Sequence, residues 1–85
     1  MAERTVRFLT RRGCPLCDEA LPVVERAAAR LGFAVVVEDV DTSGRTGEYG
    51  DRVPVVLSAG GRVVASGRIG PARLWWALLG LRAAR

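Results

Sequence analysis

The sequence predicts an α/β fold, a mixed four-stranded sheet with helices covering it, in the order β-α-β-(short α)-β-β-α. Three observations carry this expectation. Apolar residues form short strand-like runs near residues 5–9, 33–40, 53–57 and 62–65. They recur instead at helical spacing over residues 15–31 and again after Gly70-Pro71. Glycine and proline fall at the seams between these stretches, where chain reversals need them.

Taken in order, Thr5-Val6-Arg7-Phe8-Leu9 alternates and ends at Thr10-Arg11-Arg12-Gly13, giving a strand and a loop. From Pro15, the residues Leu16, Ala20, Val23 or Val24, Ala27 and Leu31 line one helical face, and Gly32 stops the helix. Pro15 suits the first helical position, where no N–H is needed. Pro22 lies inside the helix and is expected to kink it, because it removes a hydrogen bond to the Asp18 carbonyl. Phe33 to Val40 reads as a strand buried on both faces in its first half. The polar stretch Asp41 to Arg52 follows, with room for a short helix around Arg45 to Tyr49.

Val53-Pro54-Val55-Val56-Leu57 and Arg62-Val63-Val64-Ala65, joined by Ala59-Gly60-Gly61, form an antiparallel hairpin. Pro54 must begin its strand or lie at an edge, since it cannot donate to a ladder. The last helix opens at Gly70-Pro71 and carries Leu74, Trp75, Leu78 and Leu81 or Leu79 on one face. A crossover helix makes the first two strands parallel, and the hairpin adds antiparallel ones, so the sheet is mixed.

Eighty-five residues allow one domain, spanning 1–85. A chain of this size buries roughly 60 to 65 per cent of its surface, so its core must be economical. No apolar run approaches the roughly 20 residues that span a bilayer. Met1 to Thr5 shows neither an apolar signal segment nor a small-residue cleavage site, so a cytoplasmic location is expected, with no membrane association. The net charge is +4 and all 13 basic residues are arginine. They are scattered and form no dense tract, which argues against nucleic acid as a partner. With no histidine, imidazole-based hydrolysis and His-ligated zinc are excluded, and two cysteines alone do not make a zinc site.

The chemistry concentrates at Cys14-Pro15-Leu16-Cys17. Cys14 stands at the N-cap position, where its sulfur meets unpaired backbone N–H groups and the positive end of the helix dipole. Both favour thiolate over thiol, lowering the pKa from the free value of about 8.5, and Arg11 and Arg12 act in the same sense. Cys17, one turn on, lies on the same helical face but further inside. That asymmetry makes Cys14 the nucleophile and Cys17 the resolving thiol of a thiol-disulfide exchange. Val53-Pro54 is the second constellation. A cis bond there would turn the Val53 backbone outward towards the cysteines, where an extended substrate could pair with it.

Thr10-Arg11-Arg12-Gly13-Cys14-Pro15-Leu16-Cys17 and Tyr49-Gly50-Asp51-Arg52-Val53-Pro54-Val55 together resemble glutaredoxins, and more closely the small bacterial glutaredoxin-like proteins. The resemblance covers residues 4 to 82 and implies a thioredoxin-like fold. It implies a nucleophile at Cys14, a resolving thiol at Cys17 and a cis-proline at Pro54. It also implies contact between Arg11 and a glutathione carboxylate. Arg12, Pro15, Leu16 and Val53 complete the expected substrate-contact set. Glutathione is then a co-substrate, with no resident cofactor or metal, and the chain would act as a monomer on a disulfide-containing protein or a low-molecular-weight thiol.

Two departures stand out from that family. Leu16 occupies a position that is usually tyrosine, and Ser66-Gly67-Arg68-Ile69-Gly70-Pro71 lacks the acids that hold the γ-glutamyl group. The alternative function, again by resemblance, is an iron-sulfur cluster shared between two chains through Cys14. Among the remaining residues, Trp75 reads as core, Trp76 as a partly exposed edge residue, and Tyr49 as packing beneath a loop. Asp39 and Asp41 read as solvated turn formers.

Overall fold

A computed structural model describes residues 4–83. The elements are β1 (Thr5–Thr10), α1 (Pro15–Leu31), β2 (Ala34–Asp39), α2 (Val40–Ser43), α3 (Thr46–Tyr49), β3 (Val55–Ser58), β4 (Val63–Ser66) and α4 (Pro71–Ala83). The four strands form one sheet in the order β2-β1-β3-β4. β1 and β2 are parallel, as a crossover through α1 requires, while β3 runs antiparallel to both β1 and β4. This is the mixed thioredoxin-like sheet that the sequence predicts.

Two clusters of apolar side chains lie on opposite faces of the central strands. On one face Val6, Phe8 and Val56 pack against Val24 and Ala28 of α1 and Leu74 and Leu78 of α4. On the other, Leu9, Val55 and Leu57 meet Val40 and Tyr49 from the short helices. The second cover is small, which leaves Arg7 on that face exposed and paired with Glu38, at 3.4 Å from Nη1 to Oε1. Arg45 Nε lies 2.8 Å from the other oxygen of Glu38 in an ion pair that lacks hydrogen-bond alignment.

Helix α1 runs unbroken through Pro22. Pro22 and Asp18 are both exposed, so the carbonyl left without an N–H partner remains in water. The helix closes at Gly32, whose N–H bonds to the Ala28 carbonyl.

The expectation that the first half of the Phe33 to Val40 strand is buried on both faces is wrong, since Phe33 is buried but Ala34 and Val36 are exposed. β2 is an edge strand, with Val36 and Val37 41% and 49% exposed. Val40, expected to end it, instead begins α2, which Asp39 caps by accepting the Asp41 N–H at 2.8 Å. Trp75 is half-buried against the first cluster rather than fully core, and Trp76 is 68% exposed.

Because Leu78 is fully buried between α4 and the sheet, Leu78→Ala is expected to cost about 2–5 kcal/mol in chemical denaturation. Val37→Thr on the open edge is expected to change stability by less than about 0.5 kcal/mol.

Candidate functional site

The site is built where β1 ends and α1 begins. Gly13, at φ +73°, makes a turn that a side chain would strain, and it delivers Cys14 in extended geometry at the N-cap of α1. The Cys14 carbonyl accepts the N–H groups of Cys17 and Asp18, each at 3.1 Å. Its sulfur accepts the Cys17 N–H, also at 3.1 Å, in the place a serine or aspartate oxygen takes in an ordinary cap. Pro15 at the first helical position has no N–H to leave unpaired.

Cys14 and Cys17 are joined in a disulfide, with Cα atoms 5.2 Å apart. Cys17 is buried at 1% exposure, whereas Cys14 is half-buried. Cys14 thus keeps part of its surface in solvent at the margin of the core cluster, and Cys17 is packed inside it. Pro15 is exposed and Leu16 half-buried, and Leu16 borders a hollow whose far wall holds Arg68 and Ile69.

The register Leu9↔Val55 sets the start of β3 beside the end of β1, so Val53-Pro54 and the dithiol lie at the same end of the sheet. The Val53-Pro54 peptide bond is cis, and Pro54 stands just ahead of β3, outside the ladder. Its carbonyl accepts the Gly67 N–H at 2.9 Å. The Val53 N–H donates to the Tyr49 carbonyl at 3.1 Å, so the expectation that both Val53 backbone groups turn outward needs correction. Among the described residues only its carbonyl is left without a backbone partner. Arg52, just before it, stacks on the Tyr49 ring at 5.5 Å from the centroid.

Arg11 is engaged inside the chain. Its Nε donates to Asp41 Oδ2 at 3.0 Å and its Nη1 to the Gly50 carbonyl at 3.2 Å. A Cβ on Gly50 would lie 2.5 Å from the Thr46 carbonyl and 3.1 Å from Arg11 Nη1, so glycine is what lets the loop come this close. Thr46 completes the cluster by donating its hydroxyl to Asp41 Oδ1 at 2.6 Å. The cluster ties the strand leading into the dithiol to the loop leading into Pro54. Arg12 is exposed and, among the described residues, forms no ion pair.

No local sequence signal points to this cluster, since Arg11 and Asp41 are 30 residues apart and Arg11 and Gly50 are 39 apart. Asp41 does more than form a turn. The Thr46 hydroxyl most of all, joined by the Arg11 guanidinium, holds its carboxyl below the ordinary aspartate value of 3.8 against the opposing effect of desolvation.

The Glutaredoxin-like domain (DUF836) family model matches residues 5–76. The uncharacterized protein Rv0508 of Mycobacterium tuberculosis is 38% identical over 66 residues, covering 71% of this chain and 68% of that protein. The uncharacterized protein Mb0520 of Mycobacterium bovis matches to the same extent.

A carboxyl whose pKa is lower folded than unfolded stabilises the fold while ionised, and that contribution disappears as pH falls through the folded value. Wild type is therefore expected to exceed Asp41→Asn in stability at neutral pH, with the gap closing as pH drops below about 4. Urea denaturation at a series of pH values measures this, and a gap independent of pH contradicts it.

Proposed function

This chain belongs to the glutaredoxin-like domain family, and on that premise we propose that it is a thiol-disulfide oxidoreductase in which Cys14 attacks and Cys17 resolves. The observation that carries the reading is the Cys14-Cys17 disulfide at the N-cap of α1, with Cys14 half-buried and Cys17 fully buried.

In the reduced form the Cys14 sulfur would carry negative charge, stabilised by the Cys17 N–H and the helix dipole. The thiolate attacks one sulfur of a substrate disulfide. The substrate S–S bond breaks, its second sulfur leaves as a thiolate that takes up a proton, and a mixed disulfide joins Cys14 to the substrate. Cys17 then loses its proton and attacks the Cys14 sulfur, expelling the remaining substrate thiol. Two electrons have passed to the substrate and the chain ends with Cys14 and Cys17 bonded. A low-molecular-weight thiol or a reductase must return those electrons.

Burial of Cys17 suits this order, because a packed thiol reaches Cys14 more readily than it reaches a bulky substrate. The half-buried Leu16, the exposed Pro15 and Arg12, and the free Val53 carbonyl beside Pro54 are proposed to contact the substrate around Cys14. Arg11 is proposed to act on substrate through the loop it holds, since Asp41 and Gly50 already engage it. Glutathione is proposed as a co-substrate only, and the site of action as the cytoplasm. Among the described residues no helix is long and apolar enough to cross a membrane.

Cys14→Ser is expected to reduce disulfide exchange to the uncatalysed background. Cys17→Ser is expected to keep the first attack and accumulate a mixed disulfide visible by mass spectrometry. If Cys17→Ser traps no adduct while wild type turns over, the assignment of roles fails. Visible absorption after anaerobic purification, lost in Cys14→Ser, would instead place Cys14 in a shared cluster.

A further inference from the structure

A line of three hollows leads away from the dithiol along the crease between β4 and α4. The first, of about 220 Å³, opens beside Leu16 and is bounded by Glu19, Arg68 and Ile69. The second, of about 250 Å³, shares Arg68 and Ile69 with the first and continues past Arg73. The third, of about 300 Å³, shares Val63 and Val64 with the second and ends at Trp76, Gly80 and Leu81. Neighbouring hollows share lining residues, so the three follow one another as a trough from Leu16 to Trp76, the most exposed aromatic side chain.

Helix α4 explains the trough. Leu74 and Leu78 turn into the core, so Arg73, Ala77 and Gly80, at i, i+4 and i+7, share a stripe bordering the crease. Ala77 is small, and a Cβ at Gly80 would meet nothing within 4 Å, so this flank of the helix leaves space. The opposite wall is β4, the outermost strand, whose outer backbone edge has no neighbour in the sheet among the described residues.

The charge of the trough is one-sided. Residues 52–85 contain six arginines and no aspartate or glutamate, all nine acids lying in the first 51 residues. Arg62, Arg68 and Arg73 border the hollows, are exposed and, among the described residues, form no ion pair. Glu19, at the dithiol end, is the single acid bordering any of the three. Apolar surface is exposed between the guanidinium groups, with Trp76 68% and Val63 40% accessible. Arginine and tryptophan over an apolar floor is the composition of a protein-binding surface.

We propose that this trough binds an acidic, partly apolar segment of a substrate protein, in extended conformation, next to the disulfide that Cys14 attacks. The inference rests on the exchange function proposed above. A peptide is the occupant because the first hollow is bordered by Leu16, between the two cysteines in sequence, and because an open strand edge offers hydrogen bonds to an extended backbone. Self-association through this face is disfavoured, since it would set arginines against arginines.

The test compares two synthetic peptides of equal length, each with one cysteine as a mixed disulfide with thionitrobenzoate. One is flanked by Asp, Glu and Leu, the other by Lys and Leu, and release of the coloured thiol by the pre-reduced protein in a single turnover gives the second-order rate constant for each. The acidic peptide is expected to react about tenfold faster at low salt. The preference should shrink at high salt and reverse in the double variant Arg68→Glu, Arg73→Glu. Gly80→Leu, which fills the third hollow, should reduce the rate for the acidic peptide relative to the basic one.

Binding is measured separately, by tryptophan fluorescence of the oxidised protein with the acidic peptide carrying Ser in place of Cys. Equal rates for both peptides, or a preference unaltered by the charge reversals, overturn the trough and leave exchange standing. Binding of the serine peptide with no exchange in either assay supports the trough and overturns the exchange function. Tighter binding of single-stranded DNA or phosphatidylglycerol vesicles than of the peptide overturns the assignment of a peptide partner.

Discussion

A single junction organises this molecule, the point where a strand ends and a helix starts with a sulfur in place of a capping oxygen. The first turn of any helix has N–H groups without backbone partners, and here one of them, from Cys17, is answered by Cys14 Sγ at 3.1 Å. On the proposed function, the same bond that caps α1 favours the anionic form of the reduced sulfur, so that one contact serves fold and reactivity and what fixes the position of α1 also fixes the reactivity of Cys14. Val24 and Ala28 on the buried face of the helix, and Leu74 and Leu78 of α4 in the same cluster, provide that fixing.

Around the junction the chain uses charge for alignment. Arg11 lies just ahead of the dithiol, yet its donors bridge to Asp41 and to the Gly50 carbonyl, joining the two loops that meet at this end of the sheet. Exposed ion pairs are weak contributors to stability, so the value of this cluster lies in geometry. Arg62, Arg68 and Arg73, which among the described residues form no ion pair, border the hollows along β4 and α4. Arg11 joins the two loops at the site, and in the proposal above the other three arginines meet the substrate.

Much of this was readable from local signals. Cys14-Pro15 and Gly32 mark the ends of α1 because capping chemistry acts over a few residues, and observed and expected bounds agree. Pro54 announced itself as a residue that no ladder interior accepts. What depends on the order of strands was hidden. Phe33 to Val40 is as apolar as a central strand, but only the pairing of β1 with β3 makes β2 an edge and exposes Val36 and Val37. Helix α2 was missed because four residues are too few to show a period. The Arg11-Asp41-Thr46 cluster and the engagement of the Val53 N–H by Tyr49 join residues whose proximity only the folded chain creates.

The most direct measurement is the titration of Cys14 itself, by ultraviolet absorbance of the thiolate in Cys17→Ser, where it is the only thiol. A sulfur held at the start of α1 is expected to ionise well below free cysteine, whose pKa is about 8.5. A midpoint at or above that value would mean that the helix terminus does not stabilise the anion, and the link between cap and chemistry would be broken.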